Sequence, residues 1–200
     1  MTASTKPSHH HGNLRSALIE AGVQLLREGG LEALTLRKAA GVAGVSHAAP
    51  AHHFASLTNL RSAIAAAGFE IFDASMKCEI KKVSPSNPSE VVRAACRGYI
   101  LFAIENPALF SLMFGGTELI REEPPLGASS GHAYETLTNI CLPFSTDAKS
   151  LEKMRMLVWS LVHGFTSLML AQQKNFPLVD DAIQQFEEML PDFSKFQSME

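Results

Sequence analysis

Strand signals are almost missing from this sequence: no run of alternating β-branched residues stands out, and no Asn-Gly or Asp-Gly pair offers a tight hairpin. A sheet protein is therefore excluded. Cysteine is scarce. Cys78, Cys96 and Cys141 are odd in number and widely spaced, which excludes a disulfide framework and a CxxC metal or redox pair, and they read as reduced, mostly buried apolar residues. No window holds the roughly 18 consecutive apolar residues of a membrane span. The opening MTASTKPSHHHGN lacks the apolar stretch of a secretory signal. The expectation is a soluble, cytoplasmic chain with no membrane partner. We read no GxSxG, HExxH, phosphate-loop or GxGxxG motif in the chain, and no Asp/Glu pair set in an apolar helix face suggests acid–base work. No catalytic residue and no cofactor is expected. His9, His10 and His11 are adjacent and cannot readily converge on one metal from a helix, so no metal is expected either.

What is present is enough apolar material to fold: 200 residues at 46% hydrophobic suit one large domain or a small one fused to a medium one. The net charge of −3 hides an asymmetry. Residues 1–62 carry six basic residues (Lys6, Arg15, Arg27, Arg37, Lys38, Arg61) against three acidic ones (Glu20, Glu28, Glu32), and six of the eight histidines. The front is cationic and the rest acidic, so a polyanion would meet the front.

Helical periodicity runs through the whole chain, and the fold class is all-α with about nine helices. Leu14, Leu18, Ala21 and Leu25 form one stripe of a helix over 13–28 that Gly29-Gly30 ends. Thr35 is placed to cap a helix over 36–42, with Arg37 and Lys38 on its outer face. Gly44 stops it, Ser46 is placed to cap a third short helix over 47–53, and His53 and Phe54 read as packing residues. Pro50, near the start of that helix, reads as tolerated. Ser56 opens a longer fourth helix carrying Leu60, Ile64, Phe69, Phe72 and Met76. The polar stretch 81–90 connects to helices over 89–105 and 107–114, the latter started by Asn106-Pro107. Residues 115–131 read as a long irregular loop. Helices follow over 132–142, 148–174 and 179–190; the second is apolar on two faces, through Met154, Leu157, Leu161, Leu168 and through Val158, Val162, Phe165, Met169, so it needs a partner as well as a core.

Two short helices joined by a glycine turn and backed by an earlier helix form a helix-turn-helix unit over residues 10–60, which a helix over 56–80 connects to a ligand-binding and dimerisation bundle over 80–192. A slim helix carrying small residues such as Ala48 and Ala49 suits a major groove about 12 Å wide. In the bundle, Trp159, His163 and Phe165, with Phe69, Phe72, Phe102, Phe110, Met113 and Phe114, are candidates to line a ligand cavity. The same residues at helical spacing equally make plain core.

At GGLEALTLRKAAGVAGVSHAAPAHHFASLTNL, residues 29–60, the sequence resembles the TetR/AcrR family of bacterial transcriptional regulators. HHGNLRSALIEAG at 10–22 is similar to the start of one branch of it. ENPALFSLMFG at 105–115 and Trp159-x-x-x-His163-Gly164 resemble that branch's C-terminal domain, the WHG type. The resemblance implies that Thr35 and Arg37 reach DNA from the second helix, and that Ser46, His47, Ala48, Ala49 and His52 lie on the recognition helix. Two positions depart from the pattern. Ala51 stands where the family has a phosphate-binding Tyr, and Leu57 where it has a Lys, which predicts weaker DNA binding or a shallower salt dependence. The implied function is a ligand-responsive regulator, most simply a repressor, that binds a pseudo-palindromic operator as a homodimer through the helices at 148–174 and 179–190. A small apolar or amphipathic effector would release it. A ligand-binding protein that has lost specific DNA binding is the alternative that Ala51 and Leu57 leave open.

Overall fold

The computed structural model describes residues 14–120, 124–171 and 179–193. Among these the chain is entirely helical, with eight α-helices and two short 3₁₀ turns and no strand. The N-terminal part is α1 (Leu14–Ala33), α2 (Leu36–Val42), a 3₁₀ turn (Ala49–His52) and α3 (Leu57–Ile80). There follow α4 (Pro88–Glu105), α5 (Pro107–Phe114), α6 (Pro124–Cys141), a second 3₁₀ turn (Leu142–Phe144), α7 (Ala148–Ala171) and α8 (Val179–Met189).

Local chemistry accounts for most boundaries. Within α1 the helical backbone breaks at Gly29 (φ −146°) and Gly30 (φ 66°), so the first straight helix stops where the glycine pair predicts and a single turn to Ala33 follows. The Thr35 side chain accepts a hydrogen bond from the Lys38 amide at 3.2 Å and starts α2; the Ser56 side chain does the same for the Asn59 amide at 3.2 Å and starts α3. Gly44, at φ 68°, turns the chain out of α2. Asn87 caps α4, and Pro107 opens α5, where a missing N–H costs nothing. The polar connection expected over 81–90 is the turn between α3 and α4, ending at Asn87.

Several expectations need correction. The third short helix is not an α-helix over 47–53 but a four-residue 3₁₀ turn, closed by Ala51 N–H to Ala48 carbonyl (3.3 Å) and His53 N–H to Pro50 carbonyl (2.9 Å). Pro50 explains this: it has no N–H to donate, and its ring opposes the carbonyl one α-turn back. Ser46 contributes its carbonyl to the Ala49 amide at 3.0 Å, and no side chain caps the turn. Phe54 is buried as expected, whereas His53 is exposed. The long loop expected over 115–131 ends early, because α6 begins at Pro124 rather than near 132. Its inward stripe, Leu126, Ser129, Ala133, Thr136 and Ile140, has steps of three, four, three and four, but two of its members are hydroxyls, which an apolar search passes over. Of the cysteines, Cys96 and Cys141 are buried and Cys78 is exposed. The last residues expected in the helix over 148–174, 172–174, lie outside the described residues, as do residues 10–13.

Helix α3 organises the packing. It touches α1 and α5 as well as the long faces of α4 and α6. Against α6 the contact is polar and close: Thr136 donates to Asp73 at 2.6 Å, Lys77 pairs with the same carboxylate at 2.6 Å, and Ser129 donates to Glu70 at 3.2 Å. Asp73 is buried on the apolar side of α3, a position that periodicity did not single out. Against α4 the backbones nearly meet at Gly98, where a Cβ would stand 2.6 Å from both Met76 Cα and the Ser75 carbonyl oxygen; Ser75 Oγ donates to the Gly98 carbonyl at 2.8 Å. At the far end Arg97 bridges Glu187 of α8 (2.5 Å) and Glu79 of α3 (3.9 Å).

Because the obstacle at Gly98 is backbone, Gly98→Ala is expected to push α3 and α4 apart and lower stability by about 1–3 kcal/mol, despite the better helix propensity of alanine. Urea unfolding checks this, and an unchanged midpoint would show that the two helices are free to separate.

Candidate functional site

Two regions gather the chemistry. The first is the surface of α2 and the 3₁₀ turn. Thr35, Arg37, Lys38, Ser46, His47, Ala48, Ala51 and His52 are all exposed there, and Ala49 is half-buried. Inward, Ala39, Ala40, Pro50 and Phe54 anchor the two pieces to the core, so the exposed side chains stand on a fixed backbone. Arg37 and Lys38 are adjacent cations at the start of α2, next to a turn whose outer surface is alanine and histidine. Arg15 is spent differently, with its guanidinium 5.4 Å from the centre of the Phe54 ring. Arg27 is also engaged, donating to Asn106 Oδ1 at 3.0 Å, while Asn106 Nδ2 donates to the Phe102 carbonyl at 3.1 Å. That pair ties α1 to the α4–α5 corner.

The second region is a cavity of about 550 Å³ enclosed by α3, α4, α5, α6 and α7. Phe69, Phe72, Met113, Phe114, Trp159 and His163 line it, as expected. Three candidates do not. Phe102 is core, edge-on to Phe72 at 5.3 Å; Phe165 packs against Phe186 of α8 at 5.2 Å; and Phe110 faces a separate cleft. That cleft, about 770 Å³, runs past Gly30 and Leu31 of α1, Ile104, and Ala108 and Phe110 of α5. Phe114 and His163 border both spaces.

The residue missed in the cavity is Tyr99. Its hydroxyl lies 2.7 Å from His163 Nδ1, and its ring is edge-on to Phe72 at 4.8 Å. The motif-based search followed Phe, Met and Trp; only the position of Tyr99 one turn from Ala95 and Phe102, on the buried stripe of α4, pointed to it. Tyr134, on α6, was also missed because that stretch was expected to begin a new helix after a loop. Burial pushes the Tyr99 phenol well above its ordinary value, with the Trp159 side chain opposing the shift, and holds the His163 imidazole below its own. Both are therefore neutral near pH 7. Burial likewise pushes the Cys96 thiol up to about 12, so it lines the wall as a small apolar group.

One pentapeptide, Gly127-Ala128-Ser129-Ser130-Gly131, matches the G-x-S-x-G spacing of hydrolase nucleophiles, and the motif search overlooked it. It lies inside α6 rather than on a strand-to-helix turn. Ser129 is buried and bonded to Glu70, and Ser130 donates to the Leu126 carbonyl at 2.8 Å. Among the described residues no cluster of three or more His, Cys, Asp or Glu is arranged to hold a metal.

The family profile described as Tetracyclin repressor-like, C-terminal domain, matches residues 92–193, just over half of the chain. The chain belongs to the TetR family. Solved structures share its fold. A protein of unknown function from Rhodococcus sp. RHA1 matches with a TM-score of 0.74 at 22% identity, covering 96% of this chain and 98% of that one. A putative TetR family transcription regulator from Shewanella sp. PV-4 matches with a TM-score of 0.63 at 13% identity over 92% and 96% of the two chains. The TetR-like transcriptional regulator LfrR from Mycobacterium smegmatis, solved in complex with proflavine, matches with a TM-score of 0.59 at 16% identity over 90% and 98%. No match was found among the curated proteins.

The lowered pKa of His163 has a consequence for this TetR-family fold. The unfolded imidazole, near 6.5, takes up a proton before the folded one does, so stability is full above that pH and falls as the pH drops toward the folded value. Urea midpoints measured on either side of that window should differ more for the parent than for His163→Gln. An equal difference in both would mean that burial of this ring does not govern its titration.

Proposed function

We propose that the chain is a ligand-responsive transcriptional regulator, in simplest form a repressor, that binds a pseudo-palindromic operator as a homodimer. The observation that carries this reading is the exposed surface of α2 and the 3₁₀ turn, cationic at Arg37 and Lys38 and small elsewhere, standing on the fold of a family of regulators. Residues 10–60 form the DNA-binding domain, α3 connects, and residues 80–192 form the effector and dimer domain, of the WHG type. Thr35, Arg37 and Lys38 meet the backbone and nearby base edges. His47 and His52, with Ala48 and Ala49, present the groove-facing surface. A 3₁₀ turn as short as this one reaches few bases, so readout leans on thymine methyl contacts and DNA shape.

Dimerisation through α7 and α8 is supported by what those helices expose. Met156, Leu168, Val179 and Met189 are more than a third exposed and, unlike Trp159, line neither the cavity nor the cleft, which leaves them for a second copy to cover. Helix α7 is also long and apolar enough to cross a membrane by length and composition, with a mean hydropathy of 1.3. Its Met154, Val158, Val162 and Met169 are buried in the bundle, which suits a helix shared between its own core and a second copy. A dimer places the two DNA-facing surfaces in successive major grooves. The protein works in the cytoplasm.

An effector in the cavity presses on Phe114 and His163, which also wall the cleft beside Gly30 and Leu31. Displacing them changes how α1 seats on α5 and hence the spacing of the two DNA-binding domains. The ligand lowers operator affinity by favouring the wrong spacing. That the TetR-like regulator LfrR was solved in complex with proflavine supports a protein of this fold taking up a small molecule.

Ala51 and Leu57 favour a second reading, a ligand-binding protein without specific DNA binding, since exposed Ala51 offers no hydroxyl to a phosphate. Selection from random duplex DNA by the purified protein at low and moderate salt separates the two. The regulator reading expects an inverted repeat to enrich; no enrichment, with no binding even at low salt, would leave the second reading in possession. On the enriched site, Arg37→Ala should weaken binding and reduce the salt slope by about 1 per protomer, and Leu57→Lys should steepen it by a similar amount.

A further inference from the structure

We propose that the cavity binds an uncharged, flat aromatic molecule carrying one hydroxyl, with its rings among Phe69, Phe72 and Phe114 and its hydroxyl at the Tyr99–His163 pair. This rests on the reading of the cavity as the effector site, and it narrows the effector to one chemical class.

The first argument is charge. None of the residues lining the cavity is Asp, Glu, Lys or Arg. The carboxylates of α3 are committed elsewhere: Asp73 to Thr136 and Lys77, Glu70 to Ser129, and Glu79 to Lys82 and Arg97. The Arg155 guanidinium lies 4.9 Å from the centre of the Tyr134 ring and pairs with Glu152. An ion entering this space would lose its hydration with no opposite charge to replace it, which excludes ammonium and carboxylate ligands alike.

The second argument is the wall. Phe69 is edge-on to Phe114 at 5.5 Å, and Phe72 is edge-on to Tyr99 at 4.8 Å, so ring faces and ring edges both border one space. An aromatic ligand extends that edge-to-face arrangement and gains attraction beyond the area it buries, whereas a saturated ligand gains the area alone. Tyr134 and Trp159, at 44% and 38% exposure, line the cavity and also reach solvent, which marks the entrance between α6 and α7.

The third argument is the polar end. With Nδ1 of His163 accepting, the Tyr99 hydroxyl donates across 2.7 Å; the Trp159 side chain also bears on the phenol oxygen, whose second lone pair can accept from a ligand. Ser130 already donates to the Leu126 carbonyl. A neutral hydroxyl donor therefore has a defined partner in the cavity. A purely apolar molecule of the same shape leaves that partner unused.

Trp159 is the sole tryptophan of the chain and lines the cavity, so its fluorescence reports occupancy directly. The full-length protein would be titrated with 4-phenylphenol, biphenyl, biphenyl-4-carboxylate and 4-(aminomethyl)biphenyl at neutral pH. Quenching should be tightest for the phenol, with both charged probes weaker by roughly tenfold or more. Tyr99→Phe should bring the phenol down to the affinity of biphenyl while leaving biphenyl unchanged. Gly131→Leu, where a new Cβ meets no atom within 4 Å, fills the cavity from α6 and should weaken every probe while melting no lower than the parent. Equal or tighter binding of either charged probe, quenching by none of the four, or undiminished binding in Gly131→Leu would each overturn the proposal. The DNA selection uses no ligand, so its failure and the failure of these titrations are separate results.

Discussion

The structure depends on α3 being one uninterrupted rod. Its 24 residues span about 36 Å, and neither proline nor a break in dihedral angles relieves it along that length. The first turns, at Leu60 and Ile64, are buried beside α1, and the middle turns, at Phe69, Phe72 and Met76, form a wall of the cavity. Under the proposed effector reading, a rod packed along its first and middle turns would carry a shift in the cavity to the N-terminal helices as a tilt.

A second connection runs parallel to it. Arg27 near the end of the straight part of α1 is held by Asn106, whose own amide is anchored to the Phe102 carbonyl. Beside this corner lies the cleft that shares Phe114 and His163 with the cavity. The N-terminal helices are thus joined to the bundle by one stiff covalent element and by one non-covalent corner. Coupling of this kind needs no chain of contacts through the interior, since the two spaces are divided by the same two side chains.

Boundaries set by a single side chain were legible in the sequence. Thr35, Ser56, the Gly29-Gly30 pair and Asn106-Pro107 each act within one helical turn, and the sequence carries all the information their action needs. The 3₁₀ turn at Ala49–His52 was misread by treating Ser46 as a cap and Pro50 as tolerated near a helix start, whereas Pro50 removes the donor an α-turn would use. The start of α6 was misread for a different reason. Its buried stripe includes Ser129 and Thr136, whose burial is made favourable by partners on α3 and not by their own hydrophobicity. Six of nine candidate cavity residues line it, and the failures follow the same logic: Phe102, Phe110 and Phe165 have the right chemistry but the wrong rotational phase, which depends on helix crossing angles that no local pattern records.

The polar seam between α3 and α6 also explains how an acidic bundle keeps an uncharged cavity. Small residues give two helices little to fix their relative slide, because alanine and serine faces interlock weakly compared with larger side chains. The Asp73 carboxylate supplies what they lack. It is buried, and at its present register it receives the Thr136 hydroxyl and the Lys77 ammonium. A slide of one turn along α6 would remove the hydroxyl and leave a buried anion one partner short, at a cost of about 1–3 kcal/mol. Replacing the pair with apolar residues would remove that penalty and also the discrimination between registers. The same pairing draws the carboxylate to the helix interface and away from the adjoining space, where Phe72 and Met76 face inward instead. Register and cavity polarity are therefore set by one hydrogen-bonded carboxylate, and a change that freed Asp73 would alter both together.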